Sequence, residues 1–162
     1  QHTTNATSLA KINSRNWDFV VLQEQSQKPS FSPAQVATDV YPYAYQLNNI
    51  IKSNHICTET VFYMTWGREN GDASNCANYP PICTYLGMQQ RLRDSYMEMK
   101  DSNNTVVSPV GVAWKTVRDS FPLIDLYSPD ESHPSIQGSY LAACVFMLHS
   151  IKNLQLDPPI YQ

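Results

Sequence analysis

Apolar positions along the chain fall into short continuous runs separated by longer stretches of helical spacing. Trp17 to Leu22 (WDFVVL) is a largely apolar run with β-branched residues, which predicts a strand buried on both faces. Ser32-Pro33 reads as an N-cap followed by proline at the first helical position. Val36, Val40, Leu47 and Ile51 follow at helical spacing, with Pro42 set to kink or break that helix. Thr60 to Thr65 (TVFYMT) predicts a second strand, and a long loop from Trp66 to Cys83 holds Gly67, Gly71, Pro80 and Pro81. Thr84 to about Lys100 is predicted helical, with Met88, Leu92, Tyr96 and Met99 on one stripe. A short third strand is expected at Thr105 to Ser108, a helix at Val110 to Ser120, and an extended piece at Leu123 to Tyr127. The last helix is expected from about Ile136 to Lys152, turning Leu141, Cys144, Val145, Leu148 and Ile151 inward.

Strands alternating with helices predict a single α/β domain over residues 1–162 with a parallel sheet. In such sheets functional groups gather beyond the carboxyl ends of the strands. Gln23-Glu24-Gln25-Ser26, Trp66 to Asn70 and Ser108 to Gly111 sit there, and the loop Ser128 to Pro134 is placed to reach the same edge.

Composition narrows the function classes. The chain has 162 residues, 42% hydrophobic and 15% charged, enough for one domain with a real core. The net charge of −3, without a basic run, argues against a nucleic-acid partner. No apolar stretch reaches the roughly 18 residues that a membrane span needs. The first residue is Gln1 and the opening is polar, so no signal peptide is expected within the chain. Either a leader was removed or the chain is part of something longer. Cys76 and Cys83 bracket a loop rich in Asn and Pro, a spacing compatible with a short disulfide. Cys57 and Cys144 are expected as buried free thiols, or else as a second pair. A secreted or periplasmic home fits this cysteine usage. Sequons at Asn5 and Asn103 matter only in a eukaryotic secretory route.

The chemistry centres on Asp130-Glu131-Ser132-His133. An aspartate three residues before a histidine can fold back and accept a hydrogen bond from the imidazole, leaving the other ring nitrogen as a general base. Pro134 keeps His133 in a loop rather than a helix. The bland alternative is a solvent-exposed loop histidine. Trp66 and Arg68 are candidates for a pocket, by stacking and by carboxylate binding; a buried indole and a loop salt bridge, including one from Arg68 to Glu24, is the structural alternative. Glu24 and Glu69 are the obvious candidates for a paired-carboxylate site, a weak pattern here. His2, His55 and His149 fit no metal spacing, and no glycine-rich phosphate loop is present.

The block DESHPSIQGSYLAA resembles the last conserved block of the SGNH, or GDSL-type, hydrolases, and WDFVVLQEQS resembles that family's third strand with its oxyanion block. FYMTWGREN and the PPICTY loop are similar to an uncharacterised bacterial branch. The resemblance covers nearly the whole chain. It implies a flavodoxin-like three-layer α/β/α fold and an esterase that acts on acyl groups, often acetyl groups on carbohydrate, without a metal or organic cofactor. It implies His133 as catalytic base and Asp130 as triad acid. Gln25 falls where the family has the oxyanion Asn, and Gln23 where it has Gly. The family's nucleophile lies in a G-x-S block after its first strand; Ser8 and Ser14 follow no apolar strand, so the serine is expected on a segment before Gln1. Ser26, at a strand end, is the internal alternative. Missing strands would leave a sheet edge open, to be covered by that segment or by a partner chain. The rival reading is a non-catalytic carbohydrate- or protein-binding module on the same scaffold.

Overall fold

A computed structural model of the chain describes residues 2–154, with side chains described through residue 148. Its helices are α1 (Ala6–Ile12), α2 (Pro33–Asp39), α3 (Tyr41–Asn54), α4 (Tyr85–Asn103), α5 (Val110–Ser120) and α6 (Ile136–Leu154). Its strands are β1 (Phe19–Leu22), β2 (Glu59–Tyr63) and β3 (Val106–Ser108). Short 3-10 turns stand at Lys28–Ser30 and Pro80–Cys83.

The three strands form one parallel sheet in the order β1-β2-β3. Leu22 pairs with Phe62 and Phe62 with Val107, so the carboxyl ends lie level. The period of two along β2 sends neighbouring side chains to opposite faces. Phe62 enters a core with Val36, Val40 and Ala44 on one side and Met88, Leu92, Tyr96 and Met99 of α4 on the other. Tyr63 turns the other way and meets Phe146 of α6, ring centroids 6.0 Å apart. A second core of Tyr85, Trp114, Leu126 and Tyr127, with Trp66, Val117 and Leu141 against it, lies under α5 and α6. Helices on both faces of a parallel sheet make a three-layer α/β/α domain.

Local chemistry sets the boundaries. Ser32 and Gln35 form a reciprocal capping box with Pro33 in the first turn of α2. Pro42 falls in the first turn of α3, where its missing N–H costs nothing, so the expected kink is a clean break between two helices at Val40. Thr84 accepts from Gly87 N at 3.2 Å to start α4, and Asn104 ends it in the left-handed region at φ 49°. Gly138 lets α6 sit close to its neighbours: a Cβ there would lie 2.3 Å from Leu126 O and 2.5 Å from the Trp114 ring.

Four expectations are corrected. β1 is not buried on both faces: it is an edge strand, and Val21 is 43% exposed. Cys57 lies exposed in the turn after α3 rather than buried, while Cys144 is half-buried; both are free. Leu148 is 57% exposed rather than turned inward. Leu123 to Tyr127 is a turn with a single antiparallel bridge, Tyr127 to Pro134, and Leu123 is fully exposed. The side chain of Ile151 lies outside the described residues, as does that of His149.

Candidate active site

The segment between Leu126 and Ser135 folds as a closed loop. Ser128 N donates to His133 O at 2.8 Å, and Glu131 N donates to Ser128 O at 2.9 Å. Glu131 sits at φ 60°, a conformation that reverses the chain between Asp130 and His133. Ser135 closes the loop by donating from its hydroxyl to Asp125 O at 2.8 Å and accepting from Gly138 N at 3.0 Å, which caps α6.

Within the loop, Asp130 uses both oxygens. Oδ1 accepts from the backbone N–H of Ser132 (3.1 Å) and of His133 (2.9 Å). Oδ2 pairs with His133 Nδ1. The His133 ring bond first, and the two backbone N–H groups after it, hold the Asp130 carboxyl well below the usual range, to about 2. An ionised carboxylate only accepts, so Nδ1 carries the hydrogen, and in the neutral ring Nε2 is the nitrogen with the lone pair. The His133 side chain is 78% exposed, and among the described residues no serine hydroxyl bonds to it.

The loop is tied to the carboxyl edge of β2. Trp66 Nε1 donates to Ser132 O at 3.1 Å, and Glu69 N donates to Glu131 O at 2.9 Å. Trp66 lies flat on Trp114, centroids 4.0 Å apart and planes within 1°. Tyr127 meets Trp114 edge-on at 5.3 Å and donates from its hydroxyl to Gly67 O at 2.6 Å. Arg118 stacks 3.9 Å over the Tyr85 ring and donates to Glu69 O and to Tyr127 Oη, both at 3.1 Å. Burial raises the Tyr127 hydroxyl above its ordinary value, so it stays a neutral donor. Trp66 therefore acts as a brace for the 130–133 loop.

A second group lies beyond β1. Gln23 is exposed, and its side chain makes no hydrogen bond among the described residues. Gln25 Nε2 donates to Gln27 Oε1 at 2.5 Å, and Gln27 Nε2 donates to Asp72 Oδ2 at 3.0 Å. Asp72, with no exposed surface, also accepts from Asn75 Nδ2 at 2.8 Å and pairs with Arg68 at 3.4 Å. Arg68 thus binds Asp72 rather than Glu24, whose carboxylate accepts from Gln25 N at 2.8 Å. Gly71, at φ 86°, makes the turn into Asp72, and a disulfide joins Cys76 to Cys83 across the same loop. Ser26 follows in the turn after Gln25. Along the free edge of β1 runs a groove of about 1210 Å³ between α1 and α3, lined by Val20 to Gln25, Tyr43 and Leu47.

Asp72, Gln27, Arg118 and Tyr127 carry none of the spacing that marks Asp130 and His133, and sequence reading passed over them. Their partners lie far off in the chain: Gln27 and Asp72 are separated by 45 positions, Tyr127 and Gly67 by 60. The one available signal was an acid within the Trp66–Cys83 loop and a base in the last turn of α5. Among the described residues no group of three or more His, Cys, Asp or Glu gathers to hold a metal ion, and no helix is long and apolar enough to cross a membrane.

Comparison with known proteins bears on this arrangement. No family model matches the chain, and no curated protein sequence does. Solved structures do. A candidate SGNH hydrolase from Slackia heliotrinireducens superposes with a TM-score of 0.67 at 25% identity, over 87% of this chain and 70% of that one. A DUF4886 family protein from Bacteroides uniformis gives 0.67 at 20% identity, over 85% of this chain and 52% of that one. A candidate GDSL-like lipase from Parabacteroides merdae gives 0.55 at 18%, over 84% and 61%. At those identities the last two show a common fold, and the chain spans only part of each relative's length.

Proposed function

Because the chain is related to the SGNH/GDSL hydrolase superfamily, we propose that it supplies the base and acid of a serine ester hydrolase. The observation that carries this reading is the Asp130–His133 pair: an ionised carboxylate fixing Nδ1–H and leaving Nε2 to accept a proton. His133 takes the proton of a serine hydroxyl as it attacks an acyl carbonyl. It returns a proton to the leaving alcohol, and Asp130 stabilises the imidazolium between the two steps. One amide N–H of Gln25 and backbone N–H groups receive the oxyanion.

The serine is placed on a strand that pairs with the free edge of β1. The groove along that edge supports this, since a parallel strand there would end beside Gln23 and Gln25. The substrate is a small acyl ester, with an acetylated carbohydrate favoured by resemblance. The Cys76–Cys83 disulfide supports a secreted or periplasmic setting.

The test is hydrolysis of p-nitrophenyl acetate by the full-length native protein beside His133→Ala. The variant is expected to lose nearly all turnover; unchanged hydrolysis removes the assignment. A second reading, a non-catalytic carbohydrate- or protein-binding module, is favoured by one observation: no serine of the described residues bonds to His133. Covalent labelling of the native protein by a fluorophosphonate supports the hydrolase. Silence together with glycan binding supports the module.

A further inference from the structure

Gln25 would be a poor oxyanion donor if left alone, because it is exposed and its side chain has three torsions to order. The structure holds it through a chain of fixed hydrogen-bond polarity. Asp72 is buried, paired with Arg68, and as a carboxylate can only accept. The group that Gln27 turns toward it at 3.0 Å must therefore be the NH2 end of the amide. That forces Gln27 Oε1 to the other side, where it can only accept, so Gln25 must present its own NH2 at 2.5 Å. One N–H of Gln25 is used in that bond, and the second meets no acceptor among the described residues. The orientation of an exposed amide is thus dictated by a buried carboxylate two hydrogen bonds away.

Asp72 is itself immobilised. Its N–H donates to Ile82 O at 2.8 Å, and its carbonyl accepts from Cys76 N at 2.9 Å, so both backbone partners belong to the segment that the disulfide closes. Gln27 is fixed by the turn Lys28–Ser30, where Ser30 Oγ donates to Gln27 O at 2.6 Å. Both residues that hold Gln25 thus rest on hydrogen-bonded backbone.

We propose that Asp72 and Gln27 are positioning residues that select the donor face of Gln25 and aim its free N–H at the developing oxyanion. This rests on the hydrolase reading and extends it to residues that do not touch substrate. Gln27→Glu gives the sharpest test. Above the titration of the introduced carboxyl, that group faces Asp72 with like charge and releases Gln25. Protonated, it donates O–H to Asp72 and accepts from Gln25 through its carbonyl, restoring the relay. The facing carboxylate raises that titration, and the Arg68 guanidinium beside Asp72 offsets part of the rise.

With p-nitrophenyl acetate and the full-length native protein, kcat of Gln27→Glu is expected to fall about 10-fold or more at alkaline pH, with KM little changed. The ratio of variant to native kcat is expected to rise several-fold as pH is lowered toward about 5.5, where the raised carboxyl takes up its proton. Gln27→Leu, which cannot relay at any pH, is expected to stay low throughout, with its thermal midpoint showing that it is folded. A pH-independent ratio for Gln27→Glu, or native kcat in folded Gln27→Leu, overturns the inference. Gln25→Ala separates the two levels. If it keeps native kcat, the oxyanion role fails and the relay with it. If it loses about 100-fold while the Gln27 variants behave as native, the positioning role alone fails.

Discussion

Asp130→Asn isolates what the carboxylate does for His133. In the native loop Oδ1 accepts two backbone N–H bonds, at 2.9 and 3.1 Å, while Oδ2 faces Nδ1 of the ring. An asparagine can keep its oxygen on the two backbone donors, which preserves the loop. Its NH2 then faces Nδ1, and two donors cannot share that contact. The ring must shift its hydrogen to Nε2, leaving no lone pair where the nucleophile's proton arrives. Turning the amide over would restore the ring contact but set its NH2 against two backbone N–H groups, losing two bonds to save one. The native tautomer is therefore the losing arrangement, and kcat/KM for p-nitrophenyl acetate is expected to fall about 10³- to 10⁴-fold at about pH 8 with KM little changed. Nitrogen chemical shifts of the His133 ring should show hydrogen on Nε2 in the variant and on Nδ1 in the native protein. A variant within about 10-fold of native, or one that keeps its hydrogen on Nδ1, would refute this account of the pair.

Three further outcomes are expected. The Asp130 carboxyl, followed by its carbon chemical shift, should titrate near 2 rather than 3.8; because the folded value is the lower one, the loop's contribution to stability is full above about pH 4 and lost as pH falls through about 2, and a midpoint near the ordinary aspartate value contradicts it. Gly138→Ala places a Cβ 2.3 Å from a backbone carbonyl and should destabilise the domain by about 1–3 kcal/mol, read as a fall in thermal midpoint; an unchanged midpoint contradicts the close approach of α6. Replacing Cys76 and Cys83 together by serine opens a crosslink of sequence separation 7 and should cost about 2–3 kcal/mol on loop entropy, with denaturant unfolding at unchanged midpoint as the opposing result.

How much of this was legible follows from where each signal originates. α5 is legible to both its ends, with Ala113, Trp114 and Val117 at helical spacing. The loop of Asp130 and His133 was legible because both partners lie within four residues and the geometry is local. α1 was not seen, since none of its residues is buried and it carries no apolar stripe. β1 read as doubly buried because WDFVVL has the composition of a central strand; nothing within six residues tells which neighbours the strand has. Trp66 was weighed as a pocket wall, and its stack on Trp114 depends on a helix that begins more than forty positions later. The relay through Asp72 was illegible for the same reason, as its acceptor and donor meet only when the loop after β2 folds across the end of β1.

The bond from Trp66 to Ser132 spans 66 positions, among the longest separations in the molecule. Contacts of that separation are formed against a large loop-closure entropy and tend to close late, after local helices and turns. The 130–133 loop is thus expected to fasten to the sheet edge late in folding. A collapsed but incomplete chain has the residues of the site without their geometry, so on the proposed hydrolase reading the return of hydrolysis during refolding is expected to lag the return of helical signal. Turnover then serves as a clock for the final long-range closure.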